Sequence, residues 1–296
     1  MKNQYQDSSE DFLLNFFHKS QKQLTKEIYK VLNNNPSWPI LYHLSPQREF
    51  LLSWYPFKKR SSLLEIGAGC GALTGLLCQK VKKVTANELT EKRAKIIKKR
   101  WADLKNLEII KDNILNYKTK EKYDYVTLIG VLEYAGKFFE NTNDFEKPFI
   151  NLIKLTKNFL NKKGTLLIAI ENKIGLKYLA GGKEDHYGLL FESIENYPSY
   201  EGIRTFTKSE LTNILIDLKF KKINFYYPFP DYKLPYLILT SEMIKKLNIP
   251  PSSYLPIIDL SNERLNLFNE IIFGHHLIKE NILDIFSNSF LIEAKL

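Results

Sequence analysis

Apolar residues recur along this chain with two different periods, and the change from one to the other falls near residue 61. Before it the spacing is helical. Leu24, Ile28, Val31 and Leu32 share one face, because side chains three and four positions apart stack on the same side of a 3.6-residue turn. Asn33-Asn34-Asn35-Pro36 ends that helix. Ser45 and Pro46 open a second, short helix with Phe50, Leu51 and Trp54 as its apolar face, since proline in the first turn forfeits no hydrogen bond. From residue 61 onward, β-rich runs at 62–66, 83–87, 107–110, 125–129 and 165–171 alternate with helical stretches. Ala94, Ile97, Trp101 and Leu104 share one helical face, and residues 148–160 are similarly amphipathic. Thr207-Lys208-Ser209-Glu210 is a capping box opening a helix with Leu211, Ile214, Leu215 and Leu218 inward. Runs at 223–227 and 236–240 complete the strands. Such alternation predicts an α/β fold around a doubly wound, mostly parallel sheet.

Two stretches stand outside the alternation. Residues 172–204 are too long for a simple connection and are expected to be a lid with Gly181-Gly182 as its hinge. Residues 242–296 form a C-terminal extension with Pro250-Pro251, an amphipathic segment at 265–272 and an apolar run at Phe290, Leu291 and Ile292. The expected organisation is therefore a helical cap at 1–60, a core at 61–241 carrying the lid, and the extension.

The chemistry concentrates where strands end. Leu63-Leu64-Glu65-Ile66 runs into Gly67-Ala68-Gly69-Cys70-Gly71, then into a helix striped by Leu73, Leu76 and Leu77. Glycines at a strand's carboxyl end permit a tight turn and close backbone approach by a ligand. The spacing is G-x-G-x-G, and an acid precedes it. Glu65 suits an amine-bearing ligand and would repel a pyrophosphate. The next strand closes on Glu88, whose carboxylate can accept both hydroxyls of a ribose. The third ends in Lys111-Asp112-Asn113, where Asp112 can accept from an adenine amino group, and the fourth in Gly130-Val131-Leu132-Glu133-Tyr134.

In this order, these residues resemble class I S-adenosylmethionine-dependent methyltransferases over roughly 61–240. The resemblance implies a Rossmann-like seven-stranded sheet with its last strand antiparallel, and S-adenosylmethionine as cofactor. It implies Glu65 near the methionine amine, Gly67, Ala68, Gly69 and Gly71 as the cofactor floor, and Glu88 with Leu89 at ribose. Asp112 and Asn113 would then lie at adenine, with Gly130, Glu133 and Tyr134 completing the site. Residues 64–100 are similar to ribosomal RNA adenine dimethylases. Those enzymes carry Asn-Pro-Pro-Tyr or Asn-Leu-Pro-Tyr at the fourth strand, where this chain has Gly130-Val131-Leu132-Glu133-Tyr134. Val-Leu-Glu followed by an aromatic resembles small-molecule O-methyltransferases. Tyr42-His43-Leu44-Ser45-Pro46, Glu171-Asn172-Lys173-Ile174-Gly175, Glu184-Asp185-His186 and the run from Tyr227 through Asp231-Tyr232-Lys233 to Pro235 resemble a bacterial group associated with surface-polysaccharide synthesis. The expected reaction is thus O-methylation of a glycan, an activated sugar or another small cell-envelope precursor. The alternatives are an RNA methyltransferase and a non-catalytic cofactor-binding module.

A hydroxyl acceptor benefits from a base. His186, beside two acids, is the first candidate and His43 the second. The chain carries a net charge of +10, but only six of its 43 basic residues are arginine, the residue best shaped to grip phosphate and guanine. The charge is accordingly read as a solvated surface, and nucleic acid is not the expected partner. Cys70 and Cys78 alone make neither a disulfide framework nor a zinc site. No cluster of potential metal ligands is visible from spacing, so no metal is expected. No apolar run reaches the length of a membrane span, and a cytoplasmic protein is expected. The sequence does not set the oligomeric state.

Overall fold

Eight strands form one mixed sheet in the order β3-β2-β1-β4-β5-β8-β6-β7. They are β1 (Ser62–Ile66), β2 (Lys83–Glu88), β3 (Leu107–Lys111), β4 (Tyr123–Ile129), β5 (Leu160–Glu171), β6 (Lys222–Phe229), β7 (Leu237–Thr240) and β8 (Ser289–Lys295). This computed structural model describes residues 9–17, 21–34, 37–139, 144–253 and 264–296. Asn35 and Pro36 of the expected helix end lie outside the described residues. The chain divides into two compact units, Met1–Thr127 and Leu128–Leu296.

In the first unit β1 pairs in parallel with β2, and β2 with β3. Leu63, Leu64, Val84 and Ala86 are fully buried, as residues of an inner parallel strand must be when helices cover both faces. The covering helices are Thr74–Lys80 and Glu91–Arg100. The N-terminal helix Glu10–Phe16 adds Leu13 and Phe16 to a cluster with Leu24, Ile40, Leu44, Cys70 and Ile96. Its Glu10 pairs with Arg93 at 2.9 Å. The helices before residue 60 therefore share their core with the strand–helix region. Both cysteines are free and buried.

In the second unit β8 lies between β5 and β6 and is antiparallel to both. β7 pairs antiparallel with β6 at the edge. The expected seven strands are thus eight. The apolar run at Phe290, Leu291 and Ile292, assigned from sequence to an extension, is an inner strand with no exposure. Helices Lys147–Phe159 and Lys208–Asp217 belong to the same unit, the latter with the capping box between Thr207 and Glu210 formed. No helix of the described residues is long and apolar enough to cross a membrane.

Residues 172–204 are packed into this unit. Asn172 is fully buried, donating to the carbonyls of Ile285 and Ser287 at 2.7 Å each. Gly181 has φ +102°, and a Cβ there would meet the Leu265 carbonyl oxygen at 2.4 Å. Leu265 and Leu267 in turn donate to the carbonyls of Gly181 and Ala180. The expected hinge glycine is a point of close chain approach, held by the tail segment.

Candidate active site

The glycine loop of the first unit is built by three left-handed residues, Gly67 (φ 71°), Gly69 (φ 57°) and Gly71 (φ 75°). Gly67 and Ala68 both donate to the Asn87 carbonyl, so the loop folds back over the end of β2. There Glu88, buried, accepts from the Gly69 N–H through Oε2 at 2.9 Å. Its Oε1 accepts from the Thr90 N–H at 2.9 Å and the Thr90 hydroxyl at 3.0 Å. The carboxylate is therefore fixed on its own side, with both lone pairs of Oε1 engaged and one of Oε2 still available. Space opposite Gly69 is open: a Cβ there would have no atom within 4 Å. From behind, Trp101 donates its indole N–H to the Gly71 carbonyl at 2.8 Å, and a Cβ on Gly75 would overlap its ring at 2.2 Å. Gly75, second residue of the helix after the loop, leaves the room that this indole fills.

Glu65 is also buried, and its Oε2 accepts from the Thr74 hydroxyl at 2.7 Å. Burial pushes its carboxyl up to about 7, against the opposing pull of Thr74 and the charge of Arg48. Asp112 is exposed and accepts from the Asn113 N–H at 2.7 Å. Asn113 caps the short turn that follows, and Leu89 presents an exposed apolar side chain. His43, buried on the helix Trp38–Leu44, gives its carbonyl to Arg100 at 2.9 Å.

The other expected residues meet in the second unit. Gly130 follows β4 with φ +69° and donates to the Ala169 carbonyl of β5. A Cβ on it would stand 2.9 Å from the Tyr232 hydroxyl. Beyond it Glu133 is buried, and Glu171, last residue of β5, is fully buried. His186 brings its Nε2 within 3.9 Å of Glu133 Oε1, while its Nδ1 lies 2.8 Å from Glu184 Oε1. Glu184 is fixed in turn by the N–H groups of His186 and Tyr187 at 2.7 and 2.8 Å. Tyr134 meets the His186 ring edge-on, 5.3 Å between centroids. Asp185 turns away from this histidine to Lys177 and Lys233, at 2.7 and 2.6 Å. Burial lowers the imidazole pKa, yet the Glu184 hydrogen bond and the charges of Glu171, Glu184 and Glu133 outweigh it and push His186 up to about 9. At neutral pH that ring holds its proton and is not a ready base. Burial and the neighbouring Glu171 push Glu133 up to about 8.

Four members of this cluster have no role in the sequence reading: Glu171, Lys177, Tyr232 and Lys233. Their only signal was membership in short segments of a resemblance. Glu133, Glu171 and His186 each offer one donor atom, all within 4.8 Å of one another, a set invisible to spacing because it comes from three separate segments.

Comparison with known proteins adds a partial family match. The model for the ribosomal RNA adenine dimethylase family matches residues 17–159, just under half of the chain. The chain has the Rossmann-like fold of class I S-adenosylmethionine-dependent methyltransferases. Ribosomal RNA small subunit methyltransferase A of Fusobacterium nucleatum is 28% identical over 55% of this chain and 58% of that protein. Its namesake in Clostridium acetobutylicum is 30% identical over half of each chain. That of Borreliella burgdorferi is 24% identical over 76% of this chain and 70% of that protein. The chain spans 58%, 45% and 46% of the lengths of three such relatives. Among solved structures, Haemonchus contortus phosphoethanolamine N-methyltransferase 1, in complex with S-adenosylhomocysteine, has a TM-score of 0.50 at 11% identity. It covers 97% of this chain and 50% of that one, a likeness of fold.

These findings correct the expected acceptor. The family match and the relatives are ribosomal RNA methyltransferases, not enzymes of surface-polysaccharide synthesis. O-methylation of a glycan or small molecule, and the expectation that nucleic acid is not the partner, do not stand. The similarity of the first half outweighs the divergent fourth strand and the low arginine content.

Proposed function

We propose that this protein methylates RNA, transferring the methyl group of S-adenosylmethionine to an adenine amine, in the cytoplasm where ribosomal RNA is made and assembled. The observation that carries this reading is the ribosomal RNA adenine dimethylase match over residues 17–159, which takes in the glycine loop, Glu65, Glu88 and Asp112. The net charge of +10 suits a polyanion, whose binding releases counterions and weakens steeply with salt.

The residues of the loop fit the cofactor. The open space at Gly69 leaves room for a ligand against the backbone, and Glu88 keeps one lone pair, on Oε2, for a ribose hydroxyl. We assign Glu65 to the cofactor amine, Gly67, Ala68, Gly69 and Gly71 to its floor, Leu89 to the ribose beside Glu88, and Asp112 and Asn113 to adenine, with Gly130, Glu133 and Tyr134 completing the set. Bound there, the cofactor supplies an electrophilic methyl on a sulfonium, and in-line positioning gives much of the acceleration. The fourth strand leads to a carboxylate, Glu133, where the dimethylases carry an amide. His43 we assign to packing, and His186 to the polar wall beside Glu133.

The test is methyl transfer from labelled cofactor to immature small ribosomal subunits, free ribosomal RNA, nucleotide sugars and polysaccharide in parallel. Label is expected in RNA, as methylated adenine after nuclease digestion. Label confined to the sugar fractions would overturn the proposal.

Cofactor affinity should also depend on pH through Glu65. Its carboxyl is neutral below about 7, and a cationic amine gains only from the ionised form. Affinity should rise as pH increases through 7, by about tenfold per unit on the acid side if only that form binds. Glu65→Gln should flatten the profile in calorimetric titrations. Stability of the free protein runs the other way. A carboxyl raised on folding contributes fully below its unfolded value of 4.5 and loses that contribution as pH rises through about 7.

A further inference from the structure

We propose that Glu133, Glu171 and His186 form a binding site for one divalent first-row metal ion at the carboxyl ends of β4 and β5. Three features of the cluster point there. Its donors, one imidazole nitrogen and two carboxylate oxygens, already lie within 4.8 Å of one another. Bonds of about 2.1 Å to a shared ion would hold such donors roughly 3–4 Å apart, so the cluster closes on the ion by about 1 Å.

The second feature is unmet demand. Glu133 is 1% exposed and Glu171 0%, and Oε2 of each has no hydrogen-bond partner among the described residues. A buried carboxylate oxygen without a donor is strongly unfavourable, and two on neighbouring glutamates are worse. Lys233 answers part of this, with its Nζ 2.6 Å from Glu171 Oε1, but it is shared with Asp185 at the same distance. The Tyr232 hydroxyl, at 3.3 Å, bonds that same Oε1. Each glutamate thus keeps acceptor capacity that no donor meets.

The third is the orientation of the histidine. Glu184 Oε1 takes the Nδ1 side at 2.8 Å, and Glu184 is itself anchored through Oε2 by two backbone N–H groups. The nitrogen turned toward Glu133 is therefore Nε2. A carboxylate behind the far nitrogen of an imidazole fixes its ring and tautomer in metal sites generally. One nitrogen with two carboxylate oxygens suits manganese, iron or zinc better than a soft monovalent ion. Three protein ligands leave coordination positions for water or an acceptor atom.

The experiment uses the full chain, stripped with chelator and desalted, then titrated with Mn²⁺ and Zn²⁺ by calorimetry. Saturable uptake of one equivalent is expected. Glu133→Gln and His186→Gln should each weaken it at least tenfold, and Glu184→Gln by about 10- to 100-fold through the ring it orients. Circular dichroism establishes that each variant is folded. On bound Mn²⁺, electron spin-echo modulation should show a coordinated imidazole nitrogen, lost in His186→Gln. If the variants do not fold, the wild-type spectrum decides alone. No saturable uptake, uptake without the nitrogen signal, or equal affinity in folded variants would overturn the site. None of these readouts uses methyl transfer, so the RNA reading stands or falls separately.

Discussion

Removing residues 288–296 is expected to abolish cooperative unfolding of the unit formed by residues 128–296. The deleted segment contains β8, which pairs with seven residues of β5 on one side and five of β6 on the other. Phe290, Leu291 and Ile292 have no exposure at all. Burying each such side chain contributes about 1.5–3 kcal/mol, so the three together approach the whole stability of an ordinary domain, about 5–15 kcal/mol. Asn172 would also lose Asn288, whose carbonyl accepts from its N–H at 2.9 Å. Urea unfolding followed by circular dichroism checks this. A truncated chain melting like the full one would mean that the strand is peripheral.

Glu88→Ala should weaken cofactor binding by about 1.5–3 kcal/mol, the range for hydrogen bonds to a charged group, which is roughly a 10- to 150-fold rise in Kd. Part of the loss is indirect. Without the carboxylate the Gly69 N–H and the Thr90 N–H lose their acceptor, and the loop is no longer held over β2. Glu88→Gln separates the two contributions, because it keeps a single accepting oxygen. Calorimetry with S-adenosylhomocysteine reads both variants, and an unchanged affinity in Glu88→Ala would show that the ribose contact has been misassigned.

What the sequence discloses is local. The glycine loop, Glu65 and Glu88 stand out because a strand, its turn and the next strand's end are consecutive, and the resulting geometry follows from φ alone at Gly67, Gly69 and Gly71. The capping box at Thr207 is equally local. β8 is not: its partners in β5 lie more than 100 residues earlier and those in β6 more than 60, and an apolar run by itself offers no hint of where it inserts. The Glu133–Glu171–His186 cluster fails for the same reason. Gly181-Gly182 misleads differently, since a glycine required by close approach of Leu265 looks the same in sequence as one required by motion. Charge also misleads, because a lysine-rich surface is compatible with both solvent and RNA.

The place of β8 also sets the order in which this protein can be made. Chain elongation delivers β5 and β6 well before residues 289–295 exist, and the slot between them stays empty for that interval. Each of its two sides then presents a row of unpaired backbone donors and acceptors, a template for pairing with any other extended chain. The first unit has no such wait, because β1, β2 and β3 follow one another within 50 residues. On the ribosome one half can close early while the other must be kept from wrong partners until its seam is filled. Contacts of such long sequence separation also make the closing step intrinsically slow.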